Sequence, residues 1–308
     1  MPAEASDDAR GRYVSAASGA VFGNSFRITE PWLRSTAFRA FAARHDGSQL
    51  VAEPRPAEEF LVSSRLRRRD VEFEASVAGY FTEPSAMMVA LGGLEGLQGT
   101  RATELPDSVE LRMSLEEAVR RRRSVRSYSG DATPLHYLAT LLRTACGITA
   151  GPDESTGGIA LRSTPSGGAL YPVAVHLAAL NVDGLDRATY VYDPRGDLLW
   201  ETGDATGVDG VLSAMAAPDE ATMTANAAAL LLLVARPWRA MRKYGDRGMR
   251  HVFLEAGTIA EHMHLAAAAL GLGTVDCAGL YDDEVHDALA VDGVYEALVH
   301  AVVVGIPA

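Results

Sequence analysis

The sequence has little cysteine and no long hydrophobic segment. It contains two cysteines, Cys146 and Cys277, and no CxxC pair, which excludes a disulfide framework and a zinc site of the usual spacing. The longest apolar run, residues 227–235, is too short to cross a bilayer, and the acidic start MPAEASDDAR has no apolar signal-peptide core. We therefore expect a cytoplasmic protein with no metal site and no membrane partner.

Positive charge is also scarce. The chain has 28 basic and 40 acidic residues, a net charge of −12 and a pI near 5.1. Such a chain does not attract nucleic acid through its overall field, so we expect no nucleic-acid partner and only local anion sites. A hydrophobic content of 48% is ordinary for a globular protein and excludes a disordered or fibrous chain.

Lysine is almost missing. Lys243 is the single lysine among the 28 basic residues, and all the others are arginine. A buried lysine can lose its proton whereas an arginine cannot, so a lysine in such a chain suits proton transfer or covalent catalysis. Lys243 is therefore a candidate catalytic residue, and the alternative is an ordinary surface lysine.

Residues 1–105 differ in pattern from residues 106–308, and we treat them as a separate N-terminal region that is a candidate for contact with a peptide or a partner protein. The N-terminal region contains an arginine-rich run at 65–69 and a glycine-rich linker at 91–100. Residues 32–45 have a helical pattern and residues 60–62 read as extended, which together predict a small mixed α/β unit.

The second part predicts an α+β fold with a mixed, mostly antiparallel sheet flanked by helices. Ser114 and Glu117 form a capping box that begins one helix, and a second runs from Pro134 to Gly147. Strands are expected at 173–180, 188–193, 228–235 and 297–304, the first two forming a hairpin through Asp183-Gly184. The alanine-rich helix at 249–270 is long enough to form a dimer interface.

Four polar motifs are candidates for chemistry. Five arginines lie within residues 120–126, too many for the nearby acids Glu116 and Glu117, so either a bound anion or solvent compensates them. The loop at 162–172 has adjacent glycines that allow a flat ligand to approach, or it is an ordinary loop. Lys243-Tyr244 precedes the long helix, and Asp276-Cys277-Ala278-Gly279 follows it.

Taken in order, the motifs RRRSVRSY, STPSGGALYP, KYGDRG and AVVVGIP resemble the nitroreductase-like flavoproteins, and within them the SagB/McbC-type azoline dehydrogenases. The resemblance covers residues 114–307. It implies a three-layer α/β/α fold, with the long central helix at the interface of a homodimer.

The resemblance also implies FMN as the cofactor and a role for each motif. Arg122, Ser124 and Arg126 would hold the phosphate and ribityl chain, with Arg242 or Arg247 as further phosphate ligands. The isoalloxazine ring would lie along Pro165, Ser166 and Gly167, and its reactive edge near Ala278 and Gly279. Lys243 and Tyr244 would be the catalytic pair, with burial and the neighbouring Arg242 lowering the pKa of Lys243.

The implied reaction is FMN-dependent oxidation of thiazoline or oxazoline rings to thiazoles or oxazoles. The substrate would be an azoline-containing precursor peptide made by the ribosome, and a cyclodehydratase would be a partner. Two alternatives remain open: an NAD(P)H-dependent nitroreductase or flavin reductase, and a non-catalytic flavin- or peptide-binding subunit of a biosynthetic complex.

Overall fold

The structure is a computed structural model that describes residues 56–66, 71–83, 101–152, 159–216 and 223–308. The chain divides into two compact units, Met1–Arg65 and Leu66–Ala308. The predicted helix at 32–45, the linker at 91–100 and most of the basic run at 65–69 lie outside the described residues. The functional division at residue 105 stays a prediction.

The first unit contains helix α1, Pro56–Ser63, so the prediction that residues 60–62 are extended is wrong. The backbone amide of Ser64 donates to the carbonyl of Phe60 at 3.1 Å, the four-residue spacing of an α-helix. Pro56 suits the first helical position because its φ is already fixed near the helical value. Three apolar residues are too few to distinguish helical from strand periodicity.

The described part of the second unit begins with a helix and alternates helices with strands. Its helices are α2 Val71–Thr82, α3 Leu115–Arg121, α4 Leu135–Cys146, α5 Ala205–Ser213, α6 Pro237–Tyr244, α7 Gly248–Leu270 and α8 Asp282–Leu289. Its strands are β1 Ala102–Glu104, β2 Thr133–Pro134, β3 Ile148–Ala150, β4 Leu161–Arg162, β5 Val173–Ala179, β6 Val182–Asp183, β7 Thr189–Asp193, β8 Leu198–Gly203, β9 Ala229–Ala235, β10 Gly273–Asp276 and β11 Ala297–Gly305.

Seven of these strands form one sheet in the order β1-β8-β7-β5-β9-β11-β10, and every neighbouring pair is antiparallel. The predicted pairing of β5 with β7 is confirmed, and Gly184 between them has a φ of +88° that glycine adopts without steric cost. Two short pairs lie outside this sheet, β2 with β6 in parallel and β3 with β4 in antiparallel.

The sheet is covered on both faces, as its continuous apolar strands predicted. Alternate residues of β9 point to opposite sides. Leu231 and Leu233 join the core formed with α4 and α7, whereas Leu230 and Leu232 join the core formed with α5 and α8. The predicted three-layer α/β/α arrangement is therefore confirmed.

Helix α7 is the long helix that the sequence predicted. Ala256, Ala260 and Ala267 on its alanine-rich face are buried and contribute to the core shared with α4, because small side chains allow close helix packing. The helix ends at Gly271, whose φ of +76° is the left-handed conformation favoured after a helix. Its role at a dimer interface stays a prediction.

Both cysteines are buried and lie outside disulfides, and burial raises the pKa of Cys146 to about 12, so this thiol stays protonated and unreactive at neutral pH. The described helices include none that is long and apolar enough to cross a membrane.

Candidate functional site

Helix α3 presents the arginine-rich segment at its end. Ser114 caps the helix by accepting from the amide of Glu117 at 3.2 Å, as predicted. The Glu117 carboxylate does not return to the cap, because it pairs with Arg120 and Arg121. These two arginines therefore share one carboxylate partner within their own helix.

The arginines beyond the helix end have a different environment. Arg123 donates to the carbonyls of Arg120 and Arg122. Within the described parts of the chain, Arg122 and Arg126 have no carboxylate partner, so their charge is available to an anion. This observation separates Arg122 and Arg126 from Arg120.

The same segment lies beside strand β10. Ser124 forms a bridge with Thr274, and the amide of Val125 donates to the Thr274 carbonyl at 2.9 Å. Strand β10 leads directly into Ala278, which is exposed, and Gly279, which is half-buried. The fold thus places the arginine segment next to the strand that leads into two further predicted site residues.

The loop between β4 and β5 has an unusual backbone. Gly168, Ala169 and Tyr171 all have positive φ, of +65°, +55° and +46°. For a residue with a side chain this conformation costs about 1–2 kcal/mol, so other contacts must hold the loop. One is the Ser166 hydroxyl, which accepts from the amide of Tyr171 at 2.9 Å.

Glu255 of α7 provides a second anchor for this loop, and the sequence analysis missed it. Its carboxylate accepts from the amide of Val173 at 3.2 Å and also bonds to Ser166. Burial raises the pKa of Glu255 to about 7, opposed by these hydrogen bonds and by Arg162 and Arg239. An acid within the apolar stripe of α7 was the sequence signal that could have identified it.

Lys243 and Tyr244 form the last turn of α6. The Lys243 side chain is buried, with 8% of its surface exposed, so the alternative of an ordinary surface lysine is wrong. Burial lowers the pKa of Lys243 and raises that of Tyr244. The expected contribution of Arg242 to the Lys243 shift is absent, since the Arg242 side chain is exposed.

The loop and the Lys243-Tyr244 pair meet at Gly168. A Cβ atom added there would lie 2.7 Å from Lys243 Nζ and 2.7 Å from Tyr244 Oη, a separation that real Cβ atoms do not show. His251, which the sequence analysis also missed, packs against Gly167, and its ring centroid lies 4.9 Å from that of Tyr244. Two motifs far apart in the sequence therefore form one site.

Two histidines bind the carboxylate at the end of β10. Asp276 Oδ1 lies 3.0 Å from His264 Nε2 and 2.7 Å from His300 Nε2. Partial burial would raise the pKa of Asp276, but these hydrogen bonds and the histidine charges lower it. His264 is buried inside the protein. The described residues contain no group of three or more acidic, histidine or cysteine side chains that could hold a metal ion.

Comparison with known proteins identifies the class. The Nitroreductase family profile matches residues 119–306, more than half of the chain. A protein of Methanocaldococcus jannaschii named as a nitroreductase is 33% identical over 193 residues, which is 62% of this chain and 91% of that protein. The chain therefore belongs to the Nitroreductase family, and it is a nitroreductase-family oxidoreductase.

Solved structures confirm the nitroreductase-like fold. A nitroreductase-type structure from Ralstonia eutropha JMP134 aligns with a TM-score of 0.53 at 24% identity, covering 68% of this chain and 90% of that one. A chain of the E. coli microcin synthetase McbBCD complex with truncated pro-MccB17 bound aligns with a TM-score of 0.53 at 18% identity. This alignment covers 90% of this chain and 94% of that chain.

Proposed function

We propose that this oxidoreductase is an FMN-dependent dehydrogenase that oxidises thiazoline or oxazoline rings in a ribosomally made peptide. The observation that carries the proposal is the meeting of Lys243 and Tyr244 with the loop at Gly168. A peptide substrate and a cyclodehydratase partner are supported by the fold likeness to the E. coli complex, which contains a peptide.

The described residues fit FMN. Arg122 and Arg126, which have no carboxylate partner in the described chain, would bind the phosphate, and the exposed hydroxyl of Ser124 would bind the ribityl chain. Pro165, Ser166 and Gly167 would lie along the ring. At Gly168 the backbone lies close to Lys243 Nζ and Tyr244 Oη, because glycine has no side chain that would stand between them.

Ala278 and Gly279 would line the reactive edge of the ring. The carbonyl of Gly279 accepts from the amide of Ala216 at 2.7 Å. This hydrogen bond fixes the segment with Ala278 and Gly279 against the residues that follow α5. Arg242 and Arg247 remain candidates for further phosphate contacts.

Oxidation of an azoline ring removes two hydrogens, and the chain supplies the group that takes the first as a proton. Lys243 Nζ would accept the proton from the ring carbon, since burial favours the neutral amine that this step requires. Tyr244 would orient the substrate or relay the proton. When bound, FMN supplies the hydride acceptor for the second hydrogen.

A homodimer with α7 at its interface is supported by exposed apolar side chains. Leu115 and Val119 of α3 and Phe253 and Leu254 of α7 are between 49% and 69% exposed, and α3 packs beside α7. Exposed apolar side chains on neighbouring helices are typical of an interface, and two-fold dimers are the commonest oligomers.

The experiment that tests this function is oxidation of an azoline-containing peptide by the FMN-loaded protein without nicotinamide, with oxygen in the buffer as the oxidant that regenerates FMN, followed as the loss of two mass units per ring. We expect Lys243→Arg to keep FMN and the fold but to lose about 100-fold or more in turnover, since arginine keeps the charge and cannot act as a base. Arg112→Lys, at an exposed position, is the control and should match the wild type.

The second candidate function is an NAD(P)H-dependent nitroreductase, favoured by the name of the M. jannaschii relative. Two results together would establish this alternative. The protein would reduce a nitroaromatic substrate with NADH or NADPH, and it would not oxidise azoline peptides. Wild-type turnover of the peptide by Lys243→Arg at full flavin occupancy would show that Lys243 is not the base.

A further inference from the structure

Helix α2, which precedes the described strands, is fixed against the end of α6. The Ser76 hydroxyl lies 3.2 Å from the carbonyl of Arg242 and 3.2 Å from that of Lys243. Carbonyls in the last turn of a helix have no partner within the helix, and a side chain from another element can satisfy them. Ser76 therefore ties α2 to the turn that carries Lys243.

Two aromatic residues of α2 lie over the amine of Lys243. Lys243 Nζ is 4.6 Å from the ring centroid of Tyr80 and 4.6 Å from that of Phe81. The two rings meet edge to face, with centroids 5.2 Å apart. We refer to Tyr80 and Phe81 as the aromatic roof.

A third ring joins α2 to the other member of the pair. The ring of Phe73 stacks on that of Tyr244, with centroids 6.4 Å apart. Both Lys243 and Tyr244 thus have α2 side chains on one side and the Gly168 loop close by.

We propose that α2 completes the catalytic site, and that the aromatic roof consists of positioning residues that hold the Lys243 amine against Gly168. This inference rests on the proposed function for the role of Lys243, but the geometry it describes does not depend on the substrate. It assigns a role in the site to residues that the sequence placed in a separate N-terminal region.

The tyrosine and histidine side chains around the Lys243 amine are neutral, so the aromatic roof has the largest effect on its protonation. Tyr80 and Tyr244 have a raised pKa through burial, so their hydroxyls are neutral near pH 7. The neighbouring Tyr244 also raises the pKa of Tyr80, and the charge of Arg239, one turn before Lys243 on α6, lowers it. Burial and the charge of Arg247 lower the pKa of His251 on α7, which favours its neutral form.

The roof acts on the amine in two opposite ways. By covering the amine, the roof contributes to the burial that disfavours the ammonium form and lowers the pKa of Lys243. The ring faces of Tyr80 and Phe81 attract the ammonium form through a cation–π interaction. Substitutions at Phe81 can separate the two effects, because its side chain is 61% exposed and substitutions at exposed positions usually change stability little.

The experiment uses the fact that Lys243 is the only lysine. Protein labelled with lysine carrying carbon-13 at the ε position gives one lysine resonance, and its pH titration reports the protonation of Lys243 directly. We expect Phe81→Ala to admit water and shift the midpoint upwards, towards the value of about 10.4 for solvated lysine. We expect Phe81→Leu, which keeps apolar cover but removes a ring face, to shift it downwards by about half a pH unit.

Tyr295→Ala is the matched control, since it removes an exposed ring elsewhere in the same unit. Its midpoint should equal that of the wild type. The rise of azoline turnover with pH should move in parallel with the midpoint in each Phe81 variant. A positioning role predicts this parallel shift, and a merely structural role does not.

An unchanged midpoint in both Phe81 variants, or a wild-type midpoint equal to that of free lysine, would overturn the proposal. The titration needs neither an azoline substrate nor turnover. Failure of the peptide assay with normal titration shifts would therefore refute the proposed function alone, and unshifted titrations with an active enzyme would refute the role of the roof alone.

Discussion

Substitution of Gly168 by alanine tests the contact between the loop and the catalytic pair. The φ of +65° at this position costs an alanine about 1–2 kcal/mol. The new methyl would stand 2.7 Å from both Lys243 Nζ and Tyr244 Oη, so each of them must move by roughly 1 Å to reach a normal contact of about 3.5 Å. Both atoms are side-chain ends, so the fold survives.

A displacement of this size in a catalytic group costs about 100-fold in rate, which corresponds to about 2.7 kcal/mol of transition-state stabilisation. We therefore expect Gly168→Ala to lower turnover of an azoline peptide about 100-fold while destabilising the protein by only about 1–2 kcal/mol. The measurements are turnover by mass spectrometry and thermal unfolding of the same preparation.

Gly271→Ala is the matched control. Gly271 has a similar φ of +76°, and an added Cβ there meets no atom within 4 Å. This variant should show the same backbone penalty in unfolding and wild-type turnover. The reasoning is refuted if Gly168→Ala is as active as Gly271→Ala, because the methyl would then displace nothing that the reaction uses.

Three further predictions concern the flavin site, the dimer and the buried acid. Arg126→Ala should lose more FMN during purification than Arg120→Ala, since Arg120 is already paired within its helix. The loss of FMN binding free energy should be larger by about 2 kcal/mol, and equal flavin content by absorbance would contradict this placement. Leu254→Glu should convert a dimer to a monomer in light scattering, because it charges an exposed apolar position of α7; a monomeric wild type would refute the interface. Burial raises the pKa of Glu255 from its ordinary 4.5 to about 7, so the folded state binds this proton more tightly and loses about 3 kcal/mol of stability as pH rises from about 4.5 to about 7. Denaturant unfolding of Glu255→Gln across this range should lack that loss, and an unchanged pH dependence would show that another group titrates.

Local sequence patterns were sufficient for much of the fold. Strands β9 and β11 were found from continuous apolar runs, because a strand covered on both faces is rich in apolar side chains. The start of α3 at Ser114 and the end of α7 at Gly271 were found because capping depends on residues close in sequence. The extended segment expected at residues 60–62 was wrong because three residues show no period.

The sequence also determined that Lys243 is unusual, through its rarity among the basic residues. Only the tertiary structure decided what surrounds it. The aromatic roof, the Gly168 contact and the Glu255 anchor each join segments that are distant in the chain. Composition and periodicity record which residues can be buried, but the partner that buries each one is set by how the helices pack on the sheet.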